Sequence, residues 1–407
     1  MSVSGCPVIT GCGIVAGNGY SLPEWRAALR GGLAAKPEPD GWPMVVLDPD
    51  QVRQRLADEL CVLGRIRLPG VPGRGPAPAA VVAALEAWRL ANASQLASAR
   101  VGIVVAGHDL TAAIMASAAQ TYAREPAHVL PSAAVRMWDS DVLGVISEVC
   151  SIRGEGAVVG GASSSGLVAL HQAARLLDDA IDAVLIVAPP FVLADWQAQA
   201  LQSLGAMSTH SGAMCAPFDI SRTGFVPGEA AAAVVLETER SATTRGAVPL
   251  AWHRGSAVTL SATSGPEPSP TDEARVIRMA LSRAGISAHE VSYVNAHGTA
   301  SRRGDTDEIR ALSEVFGEVV MNSTKALVGH GLTSAGLVEY VATVEQLRDG
   351  FAHAMPGLRH PEPLGDLVVP RASASALSGR TGLTASYAFG GIHAAAVITG
   401  EDDREAV

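Results

Sequence analysis

The stretch from Gly156 to Leu177 constrains this chain more than any other. Gly156-Ala-Val-Val is an apolar strand and Gly160-Gly-Ala-Ser-Ser-Ser-Gly166 a turn of small residues. Leu167, Leu170, Ala174 and Leu177 then recur at helical spacing. A buried strand running through a tight turn into a helix with one apolar face is the unit of layered α/β folds. Ser163 falls between the two, where a hydroxyl meets the positive end of a helix dipole and free backbone N–H groups. A Ser-rich helix cap accounts for such a run on its own, so the turn becomes a candidate site only through partners supplied by other segments.

The same scheme runs along the chain. Apolar strands are predicted at 100–107, 182–188, 230–237, 291–296, 383–388 and 394–399, with helices at 21–30, 79–96, 110–124, 140–151, 272–284, 306–316 and 332–349. The helix over 79–96 reads as amphipathic. These alternating units imply an α/β protein with largely parallel strands buried on both faces. The repetition of the scheme divides the 407 residues into halves, 1–245 and 246–407. Gly11 and Gly13 read as structural glycines, because no helix start and acidic partner follow them as a nucleotide loop requires. Five cysteines without a CxxC pair support neither a disulfide framework nor a zinc site. A formal charge of −10 argues against nucleic-acid binding, which takes a basic face. No uncharged apolar run reaches the ~18 residues of a membrane span. The first residues lack the basic and apolar regions of a signal peptide, so a cytoplasmic protein is the expectation.

Four places put polar or gating groups at strand ends and turns: Ser163, His297-Gly-Thr299, Lys325 with Gly329-His330, and Phe389-Gly390-Gly391. Asn295-Ala-His-Gly-Thr299 with Gly304-Asp305 resembles the first histidine motif of the β-ketoacyl synthases. Asn322-Ser-Thr-Lys-Ala-Leu-Val-Gly-His330, with Ala335-Gly336 and Glu339, resembles their lysine and second-histidine motif. Pro217-Phe-Asp219, Arg222, Gly224-Phe225 and Gly228-Glu229 resemble a structural signature of that family, and Phe389-Gly390-Gly391 its gating loop. The resemblance covers nearly the whole chain. It implies the thiolase fold, five layers α-β-α-β-α, and a homodimer or pseudo-dimer.

One departure bears on function. Condensing members carry Cys in a Thr-Ala-Cys run where this chain has Gly161-Ala162-Ser163. Condensation takes a thiolate as acyl acceptor, and a serine hydroxyl does not ionise near neutrality. Serine with both histidines retained resembles the ketosynthase-like decarboxylases of polyketide β-branching cassettes, which work beside an HMG-CoA-synthase-like enzyme. The resemblance then implies conversion of malonyl-acyl carrier protein to acetyl-acyl carrier protein and CO2. In it His297 and His330 donate N–H groups to the enolate oxygen, and Lys325, paired with Glu339, supports His297. Ser163 occupies the nucleophile position without attacking, and Thr299 and Ser301 contact the phosphopantetheine arm. No metal or redox cofactor is implied. Two alternatives stand beside it: a Ser163-dependent acyltransferase with His297 as base, and a non-condensing subunit of the chain-length-factor type. Arg65, Arg67 and Arg74, in a Pro/Gly-rich loop, are the candidates for docking an acidic carrier protein. The strand 182–188 is the expected partner across a dimer two-fold.

Overall fold

The computed structural model describes residues 5–38, 42–62, 75–210 and 214–401. Arg65, Arg67 and Arg74 lie outside the described residues. Ten strands carry the architecture. Those of the first half are β1 (Val8–Ala16), β2 (Val101–Ala106), β3 (Gly156–Val159), β4 (Ala183–Ala188) and β5 (Ala230–Glu237). Those of the second half are β6 (Ala251–Leu260), β7 (Tyr293–Asn295), β8 (Val319–Asn322), β9 (Thr381–Ala388) and β10 (Ile392–Thr399). The principal helices are α1 (Ala77–Leu90), α2 (Ser165–Leu176), α3 (Asp195–Ser203), α4 (Pro270–Ala284), α5 (Arg302–Val315) and α6 (Ala335–Asp349).

The strands lie in the order β3-β2-β4-β5-β1-β6-β10-β9-β7-β8, with a short strand Leu367–Val368 beyond β8. β3, β2 and β4 run parallel, while β5 is antiparallel to both β4 and β1. The second half repeats this: β8, β7 and β9 run parallel, while β10 is antiparallel to both β9 and β6. Only Val8 and Ile9 of β1 pair with β6 to join the two sets. The sheet is therefore mixed rather than largely parallel. Antiparallel and parallel strands read alike here because helices cover both faces. In β4, Val184, Ile186 and Ala188 enter one core and Ala183, Leu185 and Val187 another.

Helix α1 packs on β1 and β5, and α4 on β6 and β10. α2 and α6 pack on each other and on strands of both halves. The result is the expected five-layer α-β-α-β-α arrangement. α1 is not amphipathic: Ala77 through Trp88 are all buried, even Glu86, which accepts the Ile14 and Leu22 N–H groups. Gly11 and Gly13 let α1 sit on β1, since a Cβ at either would lie about 2 Å from a carbonyl oxygen of Ala87 or Ala83. The strand 182–188 is not at an edge. As β4 it is hydrogen-bonded on one side to β2 and on the other to β5, so no second copy can pair with it. Among the described residues the edge of that half belongs to β3, which pairs there with β2 alone.

α2 and α6 cross where each has a glycine. A Cβ on Gly166 would lie 2.2 Å from the Leu337 nitrogen, and one on Gly336 would lie 3.1 Å from the Leu167 nitrogen. This contact sets the spacing of the two halves. Gly166→Ala should therefore lower stability by about 1–3 kcal/mol or more through overpacking. Gly144→Ala, in an exposed turn of helix Ser140–Cys150 with nothing within 4 Å, should raise it slightly through backbone entropy. Thermal unfolding of the two variants checks the contrast.

Candidate active site

The crossing helices bring their N-terminal turns together. Ala162–Ser164 and Leu332–Ser334 are single 3-10 turns that lead into α2 and α6. Ser163 is not a helix cap. Its Oγ lies 3.1 Å from His330 Nε2, and its backbone carbonyl accepts a hydrogen bond from Ser386 Oγ at 2.9 Å. The turn before it is held by Ser165 Oγ, which accepts from the Gly161 N–H at 2.9 Å, and by His108 Nε2, which accepts from the Ala162 N–H at 3.2 Å.

His297 follows β7. The Glu308 carboxylate on α5 accepts both the His297 and the Gly298 backbone N–H groups at 2.7 Å. Gly298 has φ +34°, and a Cβ there would lie 2.7 Å from that of Ser323, so the tight step after the histidine admits glycine only. One turn earlier on α5, Asp305 accepts from the Phe218 and Thr299 N–H groups at 2.7 and 3.0 Å. Buried Arg222 ties this segment down by donating to the Ser301 and Arg302 carbonyls. Lys325 opens a short helical turn after β8, and Gly329 (φ +76°) releases the chain into His330.

Lys325 is buried. Its Nζ donates to the His297 carbonyl at 2.5 Å, to His297 Nδ1 at 3.2 Å and to Glu339 of α6. Burial raises the Glu339 carboxyl above its ordinary range, and the Lys325 charge pulls it back. His330 Nδ1 accepts the Leu332 N–H at 3.2 Å. In both imidazoles Nδ1 is thus an acceptor, which leaves the proton on Nε2. Burial, and after it the Lys325 charge, hold both rings well below the ordinary imidazole pKa, so both are neutral at pH 7. The rings stand edge to face with centroids 5.7 Å apart, and Phe225 packs on His330 at 5.1 Å.

Ser163, His297 and His330 line one cavity of about 660 Å³. Thr299, Ser301 and Phe389 line it too, whereas Lys325 and Glu339 sit behind the histidines. Phe389 is half exposed, and Gly390 and Gly391 after it have φ of +82° and +72°, the left-handed turn that joins β9 to β10. The sequence reading missed Glu308, Asp305's partner in holding the His297 turn, and also Ser386 and His108; Phe225, part of the structural signature, proves to pack on His330. Glu308 was reachable, since it stands three residues after Asp305 on one helical face. His108 and Ser386 come from distant segments and left no local signal.

The family models for the β-ketoacyl synthase N-terminal and C-terminal domains match residues 77–242 and 250–359. The chain is 33% identical over 290 residues to the polyketide biosynthesis malonyl-ACP decarboxylase PksF of Bacillus subtilis (strain 168), covering 70% of each. It is 41% identical over 184 residues to the chloroplastic 3-oxoacyl-(acyl-carrier-protein) synthase II of Arabidopsis thaliana, covering 43% of this chain and 34% of that protein. A β-ketoacyl synthase structure from Burkholderia phymatum STM815 superposes with TM-score 0.81 at 25% identity, over 98% of this chain and 100% of that one. A type II polyketide ketosynthase solved in complex with its acyl-carrier protein superposes with TM-score 0.85 at 24% identity, over 97% and 99%.

Removing Lys325 strands a buried carboxyl group. Lys325→Met should destabilise the protein by about 3–5 kcal/mol, and adding Glu339→Leu should return most of that loss. Denaturant unfolding of the single and double variants measures both effects.

Proposed function

Because the chain belongs to the β-ketoacyl synthase family, we propose that it is a ketosynthase-like decarboxylase. It converts malonyl-acyl carrier protein to acetyl-acyl carrier protein and CO2 in polyketide biosynthesis. The observation that carries this reading is the pair of neutral imidazoles whose Nδ1 atoms are occupied by the Leu332 N–H and by Lys325. Both therefore present Nε2–H groups to the cavity beside Ser163. Loss of CO2 from a malonyl thioester places negative charge on the thioester oxygen, and two fixed N–H donors stabilise that charge more than they stabilise the ground state. The named activity of PksF, similar over 70% of both chains, points the same way.

His330 cannot serve as a base toward Ser163 in this tautomer, because its Nε2–H points at the Ser163 oxygen, and on substrate entry that N–H turns from the hydroxyl to the enolate oxygen. Among the described residues Ser163 Oγ has no other protein partner within hydrogen-bond distance. Ser163 then fills the acceptor position without accepting an acyl group. Thr299 and Ser301 on the cavity wall suit the amides of a pantetheine arm, and exposed Arg302 and Arg303 at its mouth suit the phosphodiester. The mechanism calls for no metal or redox cofactor. In a β-branching cassette the acetyl-carrier product is the carbon nucleophile for an HMG-CoA-synthase-like enzyme.

The working unit in this reading is a homodimer, paired through β3 rather than β4. The edge of β3 is exposed. Helix Ala112–Arg124, after β2, has no buried residue, while Met115, Tyr122, Leu130, Val135 and Trp138 are exposed. A 13-residue helix that buries nothing is marginal in water, and an apolar patch beside a free strand edge suits a self-complementary partner. Sedimentation at micromolar concentration should give a dimer that Ala157→Lys, at an exposed position of β3, weakens; a monomeric wild type would remove this assignment.

Intact mass of malonyl-carrier protein incubated with the enzyme tests the activity. The carrier should lose one CO2 and the enzyme should gain nothing. His297→Ala and His330→Ala should each lower turnover roughly a hundredfold or more, the usual loss for one oxyanion donor. Ser163→Ala should cost much less. An acyl ester on Ser163, abolished with all activity in Ser163→Ala, would replace this reading with the acyltransferase. Since both imidazoles work neutral and their pKa values lie well below 6.5, turnover should hold as pH falls through the ordinary imidazole range. It should drop only below that range, when the rings charge. A pH–rate profile with an acid limb near 6.5 would contradict the assignment.

A further inference from the structure

The two histidines stabilise an enolate but cannot finish the reaction. Decarboxylation breaks the bond between the α-carbon and the carboxylate, and its electron pair stays with the enolate. The α-carbon must then take a proton to become the acetyl methyl group. The imidazole N–H groups are committed to the enolate oxygen, and the Lys325 ammonium is held behind the rings by three acceptors. In a condensing enzyme the enolate is consumed by an acyl group. Where Ser163 holds none, the proton needs a source.

The wall beside His297 carries polar atoms that no described residue satisfies. The Tyr387 ring stands 5.5 Å from that of His297, and the His393 ring 5.6 Å beyond Tyr387. Glu273, from the first turn of α4, joins them on the same cavity wall. The Tyr387 hydroxyl, Glu273 Oε2 and both His393 ring nitrogens are buried and have no hydrogen-bond partner among the described residues. Buried polar groups left open on a cavity wall are groups that a substrate or its water completes.

We propose, resting on the decarboxylase reading, that Tyr387 delivers the proton to the α-carbon and that Glu273 is the carboxylic acid that replenishes it. Glu308 beside them accepts two backbone N–H groups, which favour its carboxylate form. Burial still pushes the Glu308 carboxyl up, to about 8, but Glu273 Oε2 has no donor among the described residues and so holds its proton the more firmly of the two. Burial, and after it the neighbouring Glu308, push Glu273 up to about 9, and it is an acid at neutral pH. The proton passes from Tyr387 to carbon, and Glu273, on the same cavity wall but not in contact with the hydroxyl, returns one to Tyr387 through solvent in the cavity. The Glu273 carboxylate regains its proton from solvent as product leaves, and CO2 departs with no oxidant or reductant.

The test is decarboxylation of malonyl-carrier protein in an equal mixture of H2O and D2O by wild type, Tyr387→Phe and Glu273→Gln. Intact mass gives turnover and the mass of the acetyl group gives its deuterium content. A held donor discriminates between isotopes differently from free water. The deuterium content should therefore shift in Tyr387→Phe relative to wild type, with turnover down tenfold or more, whereas Glu273→Gln, which leaves the donor in place, should lower turnover without shifting it. An unchanged deuterium content in Tyr387→Phe overturns the proposal whatever the turnover, because a merely structural role slows the reaction without changing the donor; unchanged turnover in Glu273→Gln overturns the role of Glu273. Should Glu273→Gln fail to fold, the near-isosteric Tyr387→Phe decides alone. A wild type that leaves the malonyl group intact overturns the decarboxylase reading itself, whereas an active wild type with no isotopic shift in Tyr387→Phe overturns only the donor assignment.

Discussion

A lysine held away from water organises this site. Lys325 is 1% exposed, and its ammonium meets the His297 carbonyl, His297 Nδ1 and Glu339. Burying such a pair is expensive, and an apolar pair of the same shape is often as stable. Its worth here lies in geometry. One cation links the end of β7, the turn after β8 and the buried face of α6. It also fixes which nitrogen of His297 carries the proton and disfavours charging of either histidine. The neutral rings, the orientation of their N–H groups and the position of the loop they stand on all follow from that one buried charge.

The second constraint is the crossing of α2 and α6. Each helix is entered through a 3-10 turn whose first residue, Ala162 in one half and Leu332 in the other, has positive φ, +46° and +52°. Neither is glycine, so both turns hold backbone strain. Four residues after each comes the glycine of the crossing, Gly166 and Gly336. The two entry turns are structural counterparts brought face to face. One supplies Ser163, and the other supplies the Leu332 N–H that sets the tautomer of His330. Duplication of a strand–turn–helix unit, with close packing at its glycines, thus places groups of both halves around one cavity.

Much of this was legible in local spacing. The histidine and lysine turns carry glycines where the backbone leaves the ordinary regions, at 298, 329, 390 and 391, and such demands are written within a few residues of the side chains they position. Strand order was not. The runs 156–159 and 182–188 are both apolar, and only long-range pairing makes the first an edge and the second interior. The amphipathic reading of α1 fails because Glu86 and Arg89 resemble a wet face, whereas Glu86 is buried to receive two backbone N–H groups. Helices Pro49–Val62 and Asp195–Ser203 were missed because each buries few residues, and their apolar period is weak. The Glu273, Tyr387 and His393 cluster comes from three elements and had no motif to announce it.

On the proposed reading, the exchange of sulfur for oxygen at position 163 changes which partner an enolate meets, while the means of forming it stay in place. Condensation and decarboxylation share their first step, cleavage of the carboxylate against the same two N–H donors. They part afterwards, at whichever electrophile lies nearest the α-carbon. A thiolate keeps an acyl group there. A serine whose oxygen receives the His330 Nε2–H lacks a base and keeps none, so protonation is the path left. That outcome is productive only if the enolate is quenched before it strays, which a cavity of about 660 Å³ does not ensure by itself. A wall of undonated protons beside His297 gives the enolate a fixed partner. It also explains why buried polar atoms stand open on that wall, where apolar side chains would otherwise serve stability better.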